Sequence, residues 1–150
     1  MAAPLLQAET TINAPVDKVW ELISDLKNMP RWSPQCRLMK TFGPLRQGAK
    51  TFNLNRRKFL FWPTTSQITE LVPRKKLAFR VNENGTVWSY ELEPADTGTR
   101  LVETRHAENG VKPFSTMAVN AVLGGVPSFE RELVEGMNES LARIKAAAES

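Results

Sequence analysis

The 150-residue sequence predicts an α+β fold in which one antiparallel sheet buries a face against a long C-terminal helix. Three observations predict it. An extended run ending at Ile12 turns into an amphipathic helix within three residues. Six further extended runs follow, each bounded by turn residues. From Pro113 onward the spacing of apolar residues changes from alternation to helical periodicity.

Along the first run, Leu6, Ala8, Thr10 and Ile12 alternate with Gln7, Glu9 and Thr11, the period of a half-buried strand. Pro15 has a fixed φ suited to a first helical turn, and Val16, Val19, Trp20 and Ile23 then fall on one helical face. Asn28 to Pro34 reads as a short second helix or turn ended by the prolines. The strands that follow are Cys36 to Phe42 before Gly43-Pro44, Ala49 to Arg56 after Gly48, Thr65 to Val72 before Pro73, and Lys76 to Val81 before Asn82-Glu83-Asn84-Gly85. Thr86 to Glu93 and Thr99 to His106 complete seven, separated by Pro94-Ala95-Asp96-Thr97-Gly98. In the C-terminal part Phe114, Met117, Ala118, Ala121 and Val122 keep helical spacing. After Gly124-Gly125-Val126-Pro127, a second helical run carries Phe129, Leu133, Met137, Leu141 and Ile144 on one stripe. The glycines and the proline predict a kink between the two runs.

Length and composition narrow the function classes. A chain of this size forms one domain, residues 1–150, burying about 68–70% of its unfolded surface. Apolar residues make up 41% and charged residues 24%, ordinary for a soluble globular protein, and no apolar run approaches the ~18 residues needed to cross a bilayer. The N-terminus lacks a basic region ahead of an apolar one, so the expected location is cytoplasmic. Cys36 is the only cysteine and His106 the only histidine, which removes disulfides, cysteine-cluster metal sites and a His-rich metal centre; no metal and no cofactor is expected. Cys36 itself reads as a small buried hydrophobe. The net charge of +4 is concentrated in Arg56-Arg57-Lys58 and Arg74-Lys75-Lys76, a weak preference for acidic partners.

The run Ile12-Asn13-Ala14-Pro15, continued by Val19-Trp20, Asp25 and the loop Trp32-Ser33-Pro34, resembles the start of the START-like superfamily, also called SRPBCC or Bet v 1-like. Gly98-Thr99-Arg100-Leu101-Val102 and the terminal Met137 to Lys145 also match its pattern, so the resemblance covers nearly the whole chain. It implies the helix-grip fold, with a seven-stranded curved antiparallel sheet around the C-terminal helix and two short helices after the first strand. Within the superfamily the chain is most similar to small single-domain bacterial proteins of the polyketide cyclase/dehydrase and lipid transport-like branch. Members range from lipid or hormone carriers to aromatase/cyclases and hydrolase activators.

A curved sheet gripping one helix leaves a gap that serves small apolar molecules. Alternation puts Trp88, Tyr90 and Leu92 on the inward face. If Asp96-Thr97-Gly98 is a three-residue hairpin loop with Gly98 left-handed, Val102, Thr104 and His106 share that face; a four-residue loop turns Leu101, Glu103 and Arg105 inward instead. On the first choice Glu103 and Arg105 form an outer charged face. The candidate binding residues are Trp32, Phe52, Leu54, Phe79, Val81, Trp88, Tyr90, Thr104, His106, Phe114, Met117, Phe129 and Met137. His106 and Tyr90 are the only candidate catalytic pair, and His106 is also readable as a solvated rim residue. No nucleophile elbow, phosphate loop or metal-ligand spacing is present.

The expected function is therefore binding of a hydrophobic small molecule such as a lipid, polyketide or aromatic compound. A cyclase/dehydratase-like enzyme and an interaction module with a collapsed cavity are the alternatives. Arg56 to Trp62, three cations running into aromatics before Pro63, reads as a hairpin tip over the cavity mouth, or as a transient membrane or protein contact. The basic run is too short to mark a nucleic-acid groove. The oligomeric state is left as monomer or homodimer.

Overall fold

The extended run to Ile12 and the helix after it become β1 (Leu5–Ile12) and α1 (Val16–Ser24), with Pro15 as the capping residue whose carbonyl accepts from the Lys18 and Val19 amides. Val19 and Ile23 are buried as the periodicity requires. Asp25 stops the helix and caps a 3-10 turn, Leu26–Asn28, its carboxylate accepting from the Lys27 amide at 3.3 Å. Next come α2 (Met29–Trp32), β2 (Cys36–Phe42), β3 (Lys50–Arg57), β4 (Leu60–Val72), β5 (Lys76–Val81), β6 (Val87–Ala95), β7 (Gly98–His106) and α3 (Val126–Glu149). This computed structural model describes residues 5–57, 59–83, 85–107 and 126–150, excepting the side chains of 126–129. The expected helical run at Phe114 to Val122 and the kink at Gly124-Gly125 lie outside the described residues. Pro127 falls in the first turn of α3, where its missing N–H removes no helical bond.

The seven strands form one antiparallel sheet in the order β1-β7-β6-β5-β4-β3-β2, so β2 to β7 are a meander whose last strand pairs with the first. Strand β4 starts at Leu60 rather than at the expected Thr65. Its first residues pair with β3, and β5 joins from Ser66 onward, so Pro63 sits where the far edge of β4 is open and a missing N–H is tolerated.

Two motifs of the sequence meet at the β1–α1 junction. A Cβ added to Gly98 would lie 2.2 Å from the Ile12 carbonyl oxygen and 2.7 Å from the Ala14 nitrogen. Only glycine lets β7 enter under this chain turn. Thr99 donates its hydroxyl to the Ala14 carbonyl at 2.8 Å. The end of α3 closes the same junction: Glu149 accepts from the Asn13 amide at 2.8 Å, and Lys145 donates to the Thr11 carbonyl at 2.7 Å. Met137, Leu141, Ile144 and Ala148 of α3 join Ala8, Ile12, Leu77, Leu92 and Leu101 in one core, which identifies the sheet face that the helix covers. Each such buried side chain contributes about 1.5–3 kcal/mol, so the helical stripe fixes the rotation of α3. Leu133 of that stripe is half-buried.

Candidate functional site

The β6–β7 register sets what faces the helix. Ala95 pairs with Gly98, leaving Asp96-Thr97 as a two-residue connection, and Tyr90 pairs with Glu103, Trp88 with Arg105 and Leu92 with Leu101. The three-residue loop expected from Gly98 is therefore corrected: Gly98 serves close packing and is not left-handed. A two-residue turn has the parity of the four-residue alternative, so Leu101, Glu103 and Arg105 point inward. Thr104 and His106 lie on the outer face, where Thr104 pairs with Ser89 and His106, exposed, pairs with Val87. His106 cannot act with Tyr90 across the interior, and Glu103 and Arg105 are not an outer charged face.

Glu103, rather than His106, is the titratable side chain beside Tyr90 on the inner face. It is 5% exposed, and the Tyr90 hydroxyl, itself on a buried residue, hydrogen-bonds its carboxyl. Burial raises the Glu103 pKa to about 8, and the Tyr90 hydrogen bond opposes that rise. Burial, with the adjoining Glu103, likewise holds the Tyr90 hydroxyl well above the usual phenol range. At neutral pH the pair is thus mainly a neutral carboxylic acid beside a neutral phenol. Among the described residues, Glu103 Oε1 is buried with no hydrogen-bond partner, as is Trp32 Nε1 of α2. Orphaned buried polar atoms are uncommon in native proteins, and a bound water or ligand is the ordinary remedy.

The other half of the inner wall carries a polar row beside the apolar Met39 and Ile68. Thr51, Asn53 and Asn55 of β3 pair with Ser66, Thr64 and Trp62 of β4. Thr51 donates to Asn53 Oδ1 at 2.9 Å and also bonds the Ser66 hydroxyl; Asn53 and Asn55 both donate to Thr64 Oγ1, at 3.2 and 3.0 Å. Thr51, Asn53 and Ser66 are buried. The sequence hides this ladder, because Phe52 and Leu54 alternate with it and apolar residues are expected to face inward. In fact Phe52 and Leu54 face outward, half-buried against Lys40 and Leu38. The alternating Thr51, Asn53 and Asn55 were the available signal.

Of the remaining candidates, Trp32, Val81, Tyr90 and Met137 are buried, and Phe79 and Trp88 are half-buried partners across β5 and β6. Phe114 and Met117 lie outside the described residues, as does the side chain of Phe129. Two ion pairs fasten the first turns of α3 across the sheet: Arg57 of β3 grips Glu132 in a fork at 2.7–3.0 Å, and the buried Arg105 of β7 meets the half-buried Glu130 at 2.8 Å. Burial pushes the Cys36 thiol up to about 11, leaving it protonated and a poor nucleophile. Among the described residues no cluster of three His, Cys, Asp or Glu side chains is arranged to hold a metal, and no helix is long and apolar enough to cross a membrane.

Residues 4–149 match the family described as polyketide cyclase / dehydrase and lipid transport. The fold is similar to that of the di-domain ARO/CYC StfQ from the steffimycin biosynthetic pathway, with TM-score 0.78 and 15% identity over 97% of this chain; the chain spans 50% of that longer protein. It is also similar to the Polyketide_cyc-like protein Cgl2372 from Corynebacterium glutamicum, with TM-score 0.65, 23% identity and coverage of 95% of this chain and 90% of that one. The AHSA1-like protein from Aeromonas hydrophila gives TM-score 0.67, 17% identity and coverage of 97% and 95%. At these identities the structural likeness shows the fold alone. No curated protein matches the sequence significantly. The helix-grip architecture and the match over nearly all residues lead to one assignment: the chain belongs to the polyketide cyclase / dehydrase and lipid transport family.

Proposed function

We propose that the chain binds a small, mainly apolar molecule between the concave sheet face and α3, with one hydrogen-bonding group of that molecule held by Glu103 and Tyr90. The observation that carries this reading is the buried Glu103 carboxyl oxygen, without a hydrogen-bond partner among the described residues, in a core shared with Leu92 and Leu101 of the sheet and Met137 of α3. A protonated carboxyl offers an O–H to a carbonyl or hydroxyl, and the apolar surroundings favour a ligand that is hydrophobic elsewhere. Trp32, Phe79, Val81, Trp88 and Met137 are the proposed contact residues, and the sequence spacing adds Phe114, Met117 and Phe129. The family's range, from cyclase/dehydrase to lipid transport, is consistent with such a ligand.

A second reading, acid–base catalysis of the cyclase/dehydratase kind, is favoured by one feature: a carboxyl of pKa about 8 hydrogen-bonded to a phenol is poised to exchange a proton near neutrality. Glu103→Gln separates the two. It keeps shape and hydrogen bonding and removes titration. With polycyclic phenols as probes and tryptophan emission as readout, a binder loses at most about tenfold in affinity. Wild-type affinity then falls as the pH rises through about 8, because the donor proton leaves, whereas the variant stays flat. If the wild type converts a probe and Glu103→Gln slows that conversion by about 10²–10⁴-fold, the enzyme reading replaces the carrier. If no apolar probe alters emission or melting temperature, both readings fail.

A further inference from the structure

The outer face of β2, β3 and β4 has the opposite character from a solvated sheet surface. Leu38, Leu54 and Pro63 form one cross-strand row, Lys40 and Phe52 the next, and Phe42 faces Lys50 beyond it. Phe42 is 59% exposed, Phe61 55%, and Phe59 at the hairpin tip 95%. Arg56 lies over the Phe61 ring, 5.4 Å from its centre. Exposed aromatic and aliphatic side chains concentrated on one surface mark an interaction site.

Charge selects the partner. Between Leu26 and Thr69 the chain carries nine Lys or Arg and no Asp or Glu; all sixteen acidic residues lie outside this segment. Arg37, Lys40, Arg46, Lys50 and Arg56 are exposed. Among the described residues, Glu132 reaches in to engage Arg57, and Glu83 closes the border at Thr65 by accepting from its amide and hydroxyl at 2.7 Å. From this we propose that the outer face of β2–β4 and its hairpin tip dock on an anionic lipid bilayer, Phe59 and Phe61 entering the interface while the cations meet lipid headgroups.

A bilayer fits better than the other acidic surfaces. Phe59 and Phe61 stand exposed at a hairpin tip, the placement by which apolar side chains enter a bilayer interface. The row of Leu38, Leu54 and Pro63 separates the Phe42 and Phe52 rings from Phe61, so the sheet rings form no continuous stacking platform for bases, and one face of the Phe61 ring is covered by Arg56. Apolar side chains at a protruding edge among cations are what interfacial binding uses, in a helix or in a hairpin. This inference stands without the ligand reading.

The test is co-sedimentation of the full chain with vesicles of phosphatidylcholine alone and of phosphatidylcholine mixed in equal parts with phosphatidylglycerol, with a single-stranded oligonucleotide as a parallel probe. Partitioning into the anionic vesicles should exceed that into the neutral ones by about tenfold or more and weaken with added salt. Phe59→Ser and the double variant Lys40→Gln/Lys50→Gln, all at exposed positions and checked for unchanged melting temperature, should each lower partitioning by about fivefold or more. Equal partitioning into both vesicle types, indifference to all three substitutions, or tighter binding to the oligonucleotide than to anionic vesicles would overturn the proposal.

Discussion

The two halves of the sheet solve the problem of having two faces in opposite ways. In the β1-β7-β6-β5 half the outer face is charged and internally neutralised: Lys76 meets Glu70 and Glu91 at 2.7 and 3.4 Å, and Arg100 meets Glu9 and Glu93. Its inner face is apolar around Ile12, Leu77, Leu92 and Leu101, with Glu103 and Arg105 buried among them. In the β2-β3-β4 half the polarity is exchanged, with Thr51, Asn53 and Ser66 inside and Phe42, Phe52, Leu54 and Phe61 outside. Alternation defines two faces, and the neighbouring elements decide which one is buried. An inner polar row survives because its members satisfy one another, and an outer apolar row calls for a partner or a tolerance of exposure.

The largest effect expected from this contrast concerns Glu103. A carboxyl whose folded pKa lies near 8, against 4.5 unfolded, binds more protons in the native state between those values. Stability contributed by the protonated form is therefore complete below about 4.5 and declines as pH rises to about 8, by roughly 5 kcal/mol in all. Denaturant titrations across that range should show the decline in the wild type and a flatter profile in Glu103→Gln. A wild-type profile as flat as the variant's would mean that the carboxyl is solvated, and the two inner walls would no longer differ in kind.

A smaller effect tests the polar wall. Asn53→Ala removes the donor to Thr64 and the acceptor of Thr51 while leaving those hydroxyls buried or half-buried, and should destabilise by about 1–3 kcal/mol. The neighbouring outward residue supplies the control, since Phe52→Thr should cost about 1 kcal/mol or less because Phe52 is already half exposed. A reversed order, with Phe52 the more costly, would show that the inner and outer assignments of β3 are exchanged.

The smallest effect is expected at the residue that the sequence made most prominent. His106→Gln should change stability and probe affinity by no more than about 0.5 kcal/mol, because the side chain is exposed on the outer face. The reason for the misreading is local. Gly98 carries two meanings in sequence, a left-handed turn residue or a place where a Cβ has no room, and its neighbours do not distinguish them. The answer lies in the Ile12 carbonyl, distant in sequence and 2.2 Å from where that Cβ would be. One residue of loop length then moved every side chain of β7 to the other face.

The elements themselves were legible. The alternation of β1, the stripe of Val19 and Ile23, and the stripe of Met137, Leu141 and Ile144 each depend on neighbours within one turn or one strand, and each is buried as its spacing requires. Tyr90, Trp88 and Phe79 faced inward as expected because β5 and β6 follow apolar alternation. Glu103 faced inward in the sequence only under the alternative loop length, and the alternation of Thr51, Asn53 and Asn55 did not show which face it occupied; an inward polar residue is identified by the partner across the sheet, Tyr90 for the first and Thr64 and Ser66 for the second.

The proposed binding requires Glu103 to be a buried, largely neutral acid at physiological pH, able to give a proton or a hydrogen bond to a ligand. The carbon-13 resonance of its side-chain carboxyl, assigned by comparison with Glu103→Gln and followed from about pH 4 to 9, reads that state directly. The expected midpoint is about 8. A midpoint near 4.5, the value of a solvated glutamate, would contradict the buried-acid site and the function built on it.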